Sequence, residues 1–262
     1  MAGKFATLLL RDLMIWARNP TIFFGFLVGP ALWIFVFGSA LNSAFFGSGR
    51  DLSALQGAPD YFSFLASAMI VVVPMTFAGR AGASIFADRL TGYLDRLLVA
   101  PMARETIVLS KVLASMILGV VQAVMILAVT TVFGLKVSAI PIASLAILVA
   151  SILILAFGFS SFFLIVSMRI TRWPTQQMLT TFLATPIMFL SNAFYPSESI
   201  PGWIRDLTLL NPLSYGISLS RLILFQNGSA LPDGVLSDFF ALVIFAAACA
   251  LALFIGTRRL LK

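Results

Sequence analysis

Long apolar runs are the feature that most constrains this chain. Six of them approach or exceed the roughly 20 residues that an α-helix needs to cross a bilayer. They cover residues 22–46, 61–79, 112–133, 137–168, 178–195 and 239–257. Charged residues make up 10% of the chain and the mean hydropathy is +1.05, whereas soluble domains carry about 25% charge. The sequence therefore predicts an all-α membrane protein with six transmembrane helices, folded as one transmembrane domain over residues 1–262.

Basic residues are distributed unevenly between the predicted loops. Six spans place both termini on one side, with residues 88–111 and 169–172, and this side carries 12 Lys and Arg residues. The loops of the other side, 47–60, 134–141 and 196–234, carry 4. The positive-inside rule then predicts that both termini are cytoplasmic. We assign the net charge of +7 to this side and to anionic lipid headgroups, not to nucleic acid.

The N-terminal segment has an apolar stripe but is too short and too polar to span. Within residues 4–18, the apolar side chains near one helical face are Phe5, Leu8, Leu9, Leu13 and Trp16. This pattern predicts an interfacial helix over residues 1–20 with the stripe at the acyl boundary. Asn19 and Pro20 are expected to end it. The alternative is a helix packed on the bundle.

A charged island, residues 88–111, interrupts the apolar sequence. Within it, Leu90, Leu94, Leu97 and Leu98 recur at helical spacing, and Pro101 follows. This pattern predicts an amphipathic surface helix over 88–100 that ends before the proline. A solvated loop with chance periodicity is the alternative. A helix kept in water beside a membrane suggests a partner protein.

The segment 196–234 contains four prolines and two apolar stretches. A disordered loop would be more polar. We therefore predict short helices over 196–222 that re-enter the outer leaflet or cap the bundle. Arg221 lies in an otherwise apolar run and is expected to cap carbonyls of a re-entrant turn, or less directly to bind an anionic headgroup.

Several kinds of chemistry lack their residues. The predicted spans have no ionisable residue at their centres, which argues against coupling to an ion gradient. The chain has no histidine and one cysteine, Cys249, and Lys4, the lysine that follows a glycine, does not belong to a phosphate-binding loop. We therefore expect no catalytic residue, no metal and no cofactor, with energy supplied by a partner.

Three segments carry a resemblance to a known family. TGYLDRLLVAP, residues 91–101, followed by Lys111, is similar to a Gly-x-Leu-Glu-x-Leu-Leu-x-x-Pro segment that a lysine closes. FYPSESIPGWIRDLTLLNPLSYGISLSR, residues 194–221, is similar to an outer Pro-x-x-x-Ile-Pro-x-Trp…Asn-Pro-Leu-x-Tyr…Arg pattern. With the Arg18-Asn19-Pro20 junction, they make the chain resemble permease subunits of type-2 ATP-binding-cassette (ABC) exporters. Asp95 departs from the pattern, where glutamate is common.

The resemblance implies a type-2 ABC exporter fold, a second permease copy in a homodimer, and two copies of a separate ABC ATPase subunit that bind the ATP. Residues 88–101 would form the coupling helix that contacts the ATPase, braced by the N-terminal helix. The coupling residues implied are Asp88, Arg89, Leu94, Asp95, Arg96, Leu97, Leu98 and Pro101. The extracellular gate would contain Tyr195, Pro196, Pro201, Trp203, Asn211, Pro212, Tyr215 and Arg221.

The function expected from these inferences is ATP-driven export of an amphipathic or hydrophobic molecule, such as a drug, lipid or glycolipid, across a bacterial or archaeal plasma membrane. Export of a polysaccharide or lipo-oligosaccharide is the alternative within the class. A non-transporting membrane scaffold and a gradient-driven transporter are alternatives outside it.

Overall fold

The computed structural model describes residues 2–42, 55–136, 140–196, 200–225 and 234–260. These residues are helices joined by turns and contain no strand, which confirms the all-α prediction. The end of the predicted span 22–46, the start of 137–168 and parts of the segment 196–234 lie outside the described residues.

Eleven α-helices form the described part of the chain. They are α1 (Ala2–Ala17), α2 (Pro20–Leu32), α3 (Gly38–Leu41), α4 (Tyr61–Leu90), α5 (Tyr93–Val99), α6 (Arg104–Val132), α7 (Ile142–Ser167), α8 (Trp173–Phe189), α9 (Gly202–Leu210), α10 (Pro212–Phe225) and α11 (Val235–Leu260). A π-helical turn, Trp33–Phe37, joins α2 to α3. It follows Pro30, whose ring removes a backbone donor and disturbs regular α-helical bonding.

Five stretches of the described residues are long and apolar enough to cross a membrane: Phe24–Leu41, Tyr61–Leu90, Arg104–Val132, Ile142–Ser167 and Val235–Arg258. The predicted span 178–195 is wrong in its bounds, because α8 is the 17-residue helix Trp173–Phe189. A turn follows it, in which Asn192 donates to Ser218 of α10 over 3.0 Å. Contacts with α10 thus hold residues 190–195 out of the helix. Six crossings stay a prediction.

The helix that contains the second predicted span is longer than that span. The predicted span 61–79 ends before Arg80, whereas α4 continues to Leu90. Arg80 does not end the helix, because its guanidinium lies 4.0 Å from the centre of the Phe26 ring. Asp88 is accommodated by ion pairs with two cations.

Helix α4 is the centre of the bundle. It packs against α5, α6, α7, α8 and α10. In its most apolar 18-residue stretch, 89% of the residues are buried. Small residues let the neighbouring backbones approach, as is usual between membrane helices. At Gly82, an added methyl group would overlap Ser167 Oγ and lie 2.8 Å from the backbone oxygen of Phe163. Helices α4 and α7 therefore touch here through their backbones.

We expect Gly82→Ala to lower the free energy of unfolding by about 1–3 kcal/mol, since overpacking a tight contact costs this much. The measurement is the SDS fraction at which the purified chain unfolds in mixed micelles. Gly25→Ala is the matched control, because no atom lies within 4 Å of its added methyl group and alanine favours a helix. Equal unfolding of the two variants would contradict the close packing of α4 and α7.

The two ends of the bundle differ in charge. At one end, Lys4 donates to the carbonyl of Pro101 over 2.9 Å, and Arg258 Nε lies 3.7 Å from Glu105 Oε1. The start of α1, the α5–α6 connection and the end of α11 therefore lie together, and we call this the basic end. At the opposite end, Lys136 Nζ lies 3.6 Å from Asp60 Oδ2.

Helix α1 packs on α6 and α2, which corrects the predicted placement of its apolar stripe. Leu8 is buried and the other stripe residues are half-buried. The stripe therefore meets protein and not open surface. A second apolar strip, Leu10, Met14 and Ile15, is about half exposed. The helix therefore packs on the bundle while this second strip remains free to contact lipid, and its interfacial position stays a prediction.

Candidate functional site at the basic end

The predicted surface helix 88–101 is two elements, not one. Asp88 and Arg89 belong to the last turn of α4, and α5 begins only at Tyr93. Gly92 separates the helices with φ 67°, a left-handed conformation that glycine adopts without strain. The predicted leucine periodicity is wrong across this break. Leu90 falls outside the buried face and is 58% exposed.

Helix α5 has one buried face and one exposed face. Leu94 and Leu97 are buried in a small apolar cluster with residues of α1, α4, α6, α7 and α11, and Leu98 is half-buried. Asp95 and Arg96 are exposed, and Val99 is 88% exposed. We call Asp95, Arg96 and Val99 the α5 surface. The leucines fix α5 to the bundle, so the α5 surface is free to contact another protein.

The ends of α4 and α5 are fastened by hydrogen bonds to neighbouring helices. Arg89 Nη1 donates to the carbonyls of Met168 and Ile170, over 3.1 and 3.2 Å. These carbonyls follow α7 and lack intrahelical partners. Exposed Pro101 accepts the bond from Lys4 in α1. Half-buried Arg89 and exposed Pro101 therefore both hold the segment in place.

Asp88 lies at the centre of a buried group of charges. Arg11 of α1 donates to both of its oxygens, over 2.7 and 3.2 Å, and Lys111 of α6 pairs with Oδ2. Lys111 also donates to Ser84 over 2.9 Å and lies 3.4 Å from Asp12. We call Arg11, Asp12, Asp88 and Lys111 the ion cluster. It joins α1, α4 and α6 beneath α5.

The electrostatics of the ion cluster follow from its burial. Burial raises the pKa of the Asp12 carboxyl above its ordinary value, although the charge of Lys111 opposes this shift. The hydrogen bond to Asp88 raises the pKa of the Arg11 guanidinium. The cluster holds two cations and two anions, so its formal charge is zero.

Sequence reasoning did not single out Arg11 or Asp12. Arg11 lies outside the predicted apolar stripe, and its partner Asp88 is 77 residues away. The signal that could have found them is the adjacent pair of opposite charges in the middle of an otherwise apolar helix, since such charges are costly unless paired.

At the opposite end, Arg221 is completely buried. Its guanidinium donates to Ala193 O over 3.3 Å and to Gln56 Oε1 over 2.9 Å, and lies 3.6 Å from the centre of the Phe64 ring. Ala193 belongs to the turn after α8. The bond to the Ala193 carbonyl agrees with the expected capping of a turn, while the re-entrant position of that turn stays a prediction.

Other predicted gate residues organise the same region. Asn211 caps α10 by accepting from Leu213 N over 3.0 Å and donates to Ile187 O over 2.6 Å. Pro212 occupies the first position of α10, where a missing N–H costs nothing. The Tyr215 hydroxyl donates to Leu209 O over 2.6 Å. These residues fix the angle between α9 and α10.

The remaining four are more exposed. Trp203 on α9 is 65% exposed and Tyr195 is 38% exposed. Pro201 is exposed just before α9, and Pro196 is half-buried. The structure therefore gathers Asn211 and Arg221 at the turn after α8, while Pro201 and Trp203 lie on the surface. Whether this region opens stays a prediction.

Comparison with known proteins gives a family match over most of the chain. A model of the ABC-2 type transporter family matches residues 3–225. "Probable doxorubicin resistance ABC transporter permease protein DrrC" of Mycobacterium tuberculosis is 26% identical over 260 residues, 95% of this chain and 86% of the relative. "Putative transport permease ycf38" of Porphyra purpurea is 28% identical over 214 residues, 80% and 70% of the two chains. "Daunorubicin resistance ABC transporter permease protein DrrB1" of Streptomyces coeruleorubidus is 23% identical over 222 residues, 82% and 72%.

Proposed function

This chain belongs to the ABC-2 type transporter family, and from that premise we propose that it exports an amphipathic, drug-like molecule by an ATP-driven mechanism. It is a multi-pass membrane permease and not itself an enzyme, since a separate ATPase subunit hydrolyses the ATP. The sequence-based recognition of a type-2 ABC permease is thereby confirmed.

The α5 surface carries the proposal. A mechanical signal from an ATPase needs a contact that is exposed to the partner and rigidly attached to the bundle. Helix α5 meets both needs, because Leu94 and Leu97 are buried while Asp95, Arg96 and Val99 face outwards. A charged rim beside an apolar side chain is typical of a protein contact. In this function α5 is the coupling helix.

An amphipathic cargo is supported by the names of two relatives, which are resistance permeases for doxorubicin and daunorubicin. It also agrees with spans whose described polar residues are largely uncharged. A polysaccharide or lipid-linked saccharide would need a more polar path, so we assign the cargo to apolar cations and neutral amphiphiles of drug size.

The assembly we propose contains two copies of this chain and two ATPase subunits in a plasma membrane. The basic end would face the cytoplasm, where its lysines and arginines meet anionic lipid and the ATPase. The segment from Tyr195 to Arg221 would then lie on the far side and act as the gate. Both termini would be cytoplasmic.

We expect Arg96→Glu to weaken retention of the ATPase subunit by at least tenfold, because a charge reversal at a contact costs more than 1.4 kcal/mol when the partner is complementary. The chain is co-expressed with its cognate ABC ATPase subunit, and the affinity is measured in detergent. Arg96 is exposed, so insertion and stability should not change.

Arg18→Glu is the matched control, an equal charge reversal on an exposed residue of the α1–α2 junction. Arg18 is remote from α5, because it lies about 21 Å along the axis of α1 from Lys4, which contacts Pro101 just after α5. A wild-type chain that retains no ATPase, or an Arg96→Glu chain that retains it as well as the control does, would refute the coupling role of α5. Transport of glycan but not of doxorubicin by reconstituted vesicles would refute the drug-like cargo.

A further inference from the structure

A contribution to the stability of the fold does not by itself account for the ion cluster at the basic end. We propose that Arg11, Asp12, Asp88 and Lys111 are positioning residues that join α5 to α4 and α6, so that a displacement of α5 is delivered to both helices. This inference deepens the proposed function and rests on it, since it assumes that an ATPase pushes on α5.

A continuous chain of contacts supports the connection. The Arg11 guanidinium lies 3.9 Å from the centre of the ring of Tyr93, the first residue of α5. The same guanidinium binds both oxygens of Asp88 at the end of α4. Asp88 in turn pairs with Lys111 in the N-terminal part of α6. Arg11 thus contacts α5 and α4 at once, and one carboxylate separates it from α6.

The geometry makes this connection directional. A guanidinium that forms two parallel bonds with a carboxylate resists rotation, whereas a lysine would bind as a point charge. Gly92 interrupts the helix between α4 and α5 with a left-handed turn, so the two helices do not form one continuous rod. The side-chain connection through Arg11 bypasses that turn.

Burial makes stability an insufficient account of the cluster. The exposed fractions of the side chains are 2% for Lys111, 6% for Asp88 and 7% for Asp12. Desolvation of buried charges often exceeds their attraction, and apolar residues of similar volume are frequently as stable. Asp12 Oδ1 also has no hydrogen-bond partner among the described residues. Such a cluster restricts the bundle to one arrangement of helices at a cost in stability.

The sharpest experiment separates charge balance from connection. Asp88→Asn leaves an excess of one positive charge and Lys111→Met an excess of one negative charge, so each single variant should be destabilised. The double variant Asp88→Asn/Lys111→Met keeps Arg11 and Asp12 and is again neutral. Its unfolding midpoint in SDS micelles should return towards that of the wild type.

Coupling should not return with stability. We expect the double variant to retain the ATPase subunit, because the α5 surface is intact. Its ATP hydrolysis above that of the isolated ATPase, measured with doxorubicin as the probe, should stay about tenfold below wild type, a typical size for lost coupling. Recovery of both stability and hydrolysis in the double variant would overturn the proposal, since the cluster would then be merely structural.

A second variant keeps the test decisive if the buried replacements fail to insert. Arg11→Lys preserves the charge of a partly exposed residue but removes the paired hydrogen bonds. Amide hydrogen exchange in α1 and α5 of the purified permease should become about fivefold faster, while Arg18→Lys should leave it unchanged. Unchanged exchange in Arg11→Lys would overturn the connection. This measurement needs no ATPase, so it distinguishes failure of the inference from failure of the proposed function.

Discussion

Replacing Arg221 by leucine is expected to lower the free energy of unfolding by about 2–4 kcal/mol. In this variant the Ala193 carbonyl and the Gln56 amide oxygen each lose the guanidinium as a hydrogen-bond donor. Each such loss costs about 1–3 kcal/mol. Removal of a buried charge that has no acidic partner among the described residues offsets part of this cost. The SDS unfolding midpoint of the purified chain is the measurement.

The effect should be local to the opposite end of the bundle. Arg205→Leu is the matched control, because Arg205 is exposed on α9 and surface replacements usually change stability by less than about 0.5 kcal/mol. In Arg221→Leu we also expect faster hydrogen exchange in the turn after α8. If the two leucine variants unfold at the same SDS fraction, the contacts of Arg221 do not stabilise the turn.

Leu94→Asp is expected to detach α5 from the bundle and to abolish retention of the ATPase. Leu94 is 2% exposed, so its burial contributes about 1.5–3 kcal/mol. An unpaired carboxylate in the same place costs several kcal/mol more. The spans bury enough other surface to stay inserted, so α5 should leave its site while the bundle remains. Trypsin should then cleave after Arg96 at least tenfold faster than in the wild type.

Val99→Asp is the counterpart on the exposed face of the same helix. Val99 is 88% exposed, so we expect normal stability and normal resistance to trypsin. Retention of the ATPase should nevertheless fall, because an apolar contact on the α5 surface is lost. Equal trypsin cleavage in Val99→Asp and Leu94→Asp would contradict the division of α5 into a buried and an exposed face.

The buried leucines of α5 show what local periodicity can predict. Leu94 and Leu97 were correctly placed on one helical face, because they are one turn apart within a single helix, and the structure buries that face in the bundle. Leu90 was not, because Gly92 interrupts the helix and changes the register. A left-handed glycine cannot be recognised from apolar spacing alone, since the same residue is also tolerated inside helices.

Two of the arginines with long-range contacts, Arg221 and Arg11, show a different limit. Arg221 was expected to bond to carbonyls, since a lone charge in an apolar run needs polar partners, and it bonds to that of Ala193. The identity of those partners could not be predicted, because Gln56 is 165 residues away. The pairing of Arg11 with Asp88 could not be predicted for the same reason, because the two residues are 77 positions apart.

By itself the sequence determined that this chain is a membrane protein, that it is all-helical, how charge is distributed between its loops, and to which family it belongs. These properties depend on hydropathy and spacing within short segments, which the order of residues records directly. Only the tertiary structure decided where α4 and α8 end, which leucines are buried, and that four charges from three helices meet beneath α5. Those outcomes depend on which distant segments pack together, because a buried charge is stable only beside its partner.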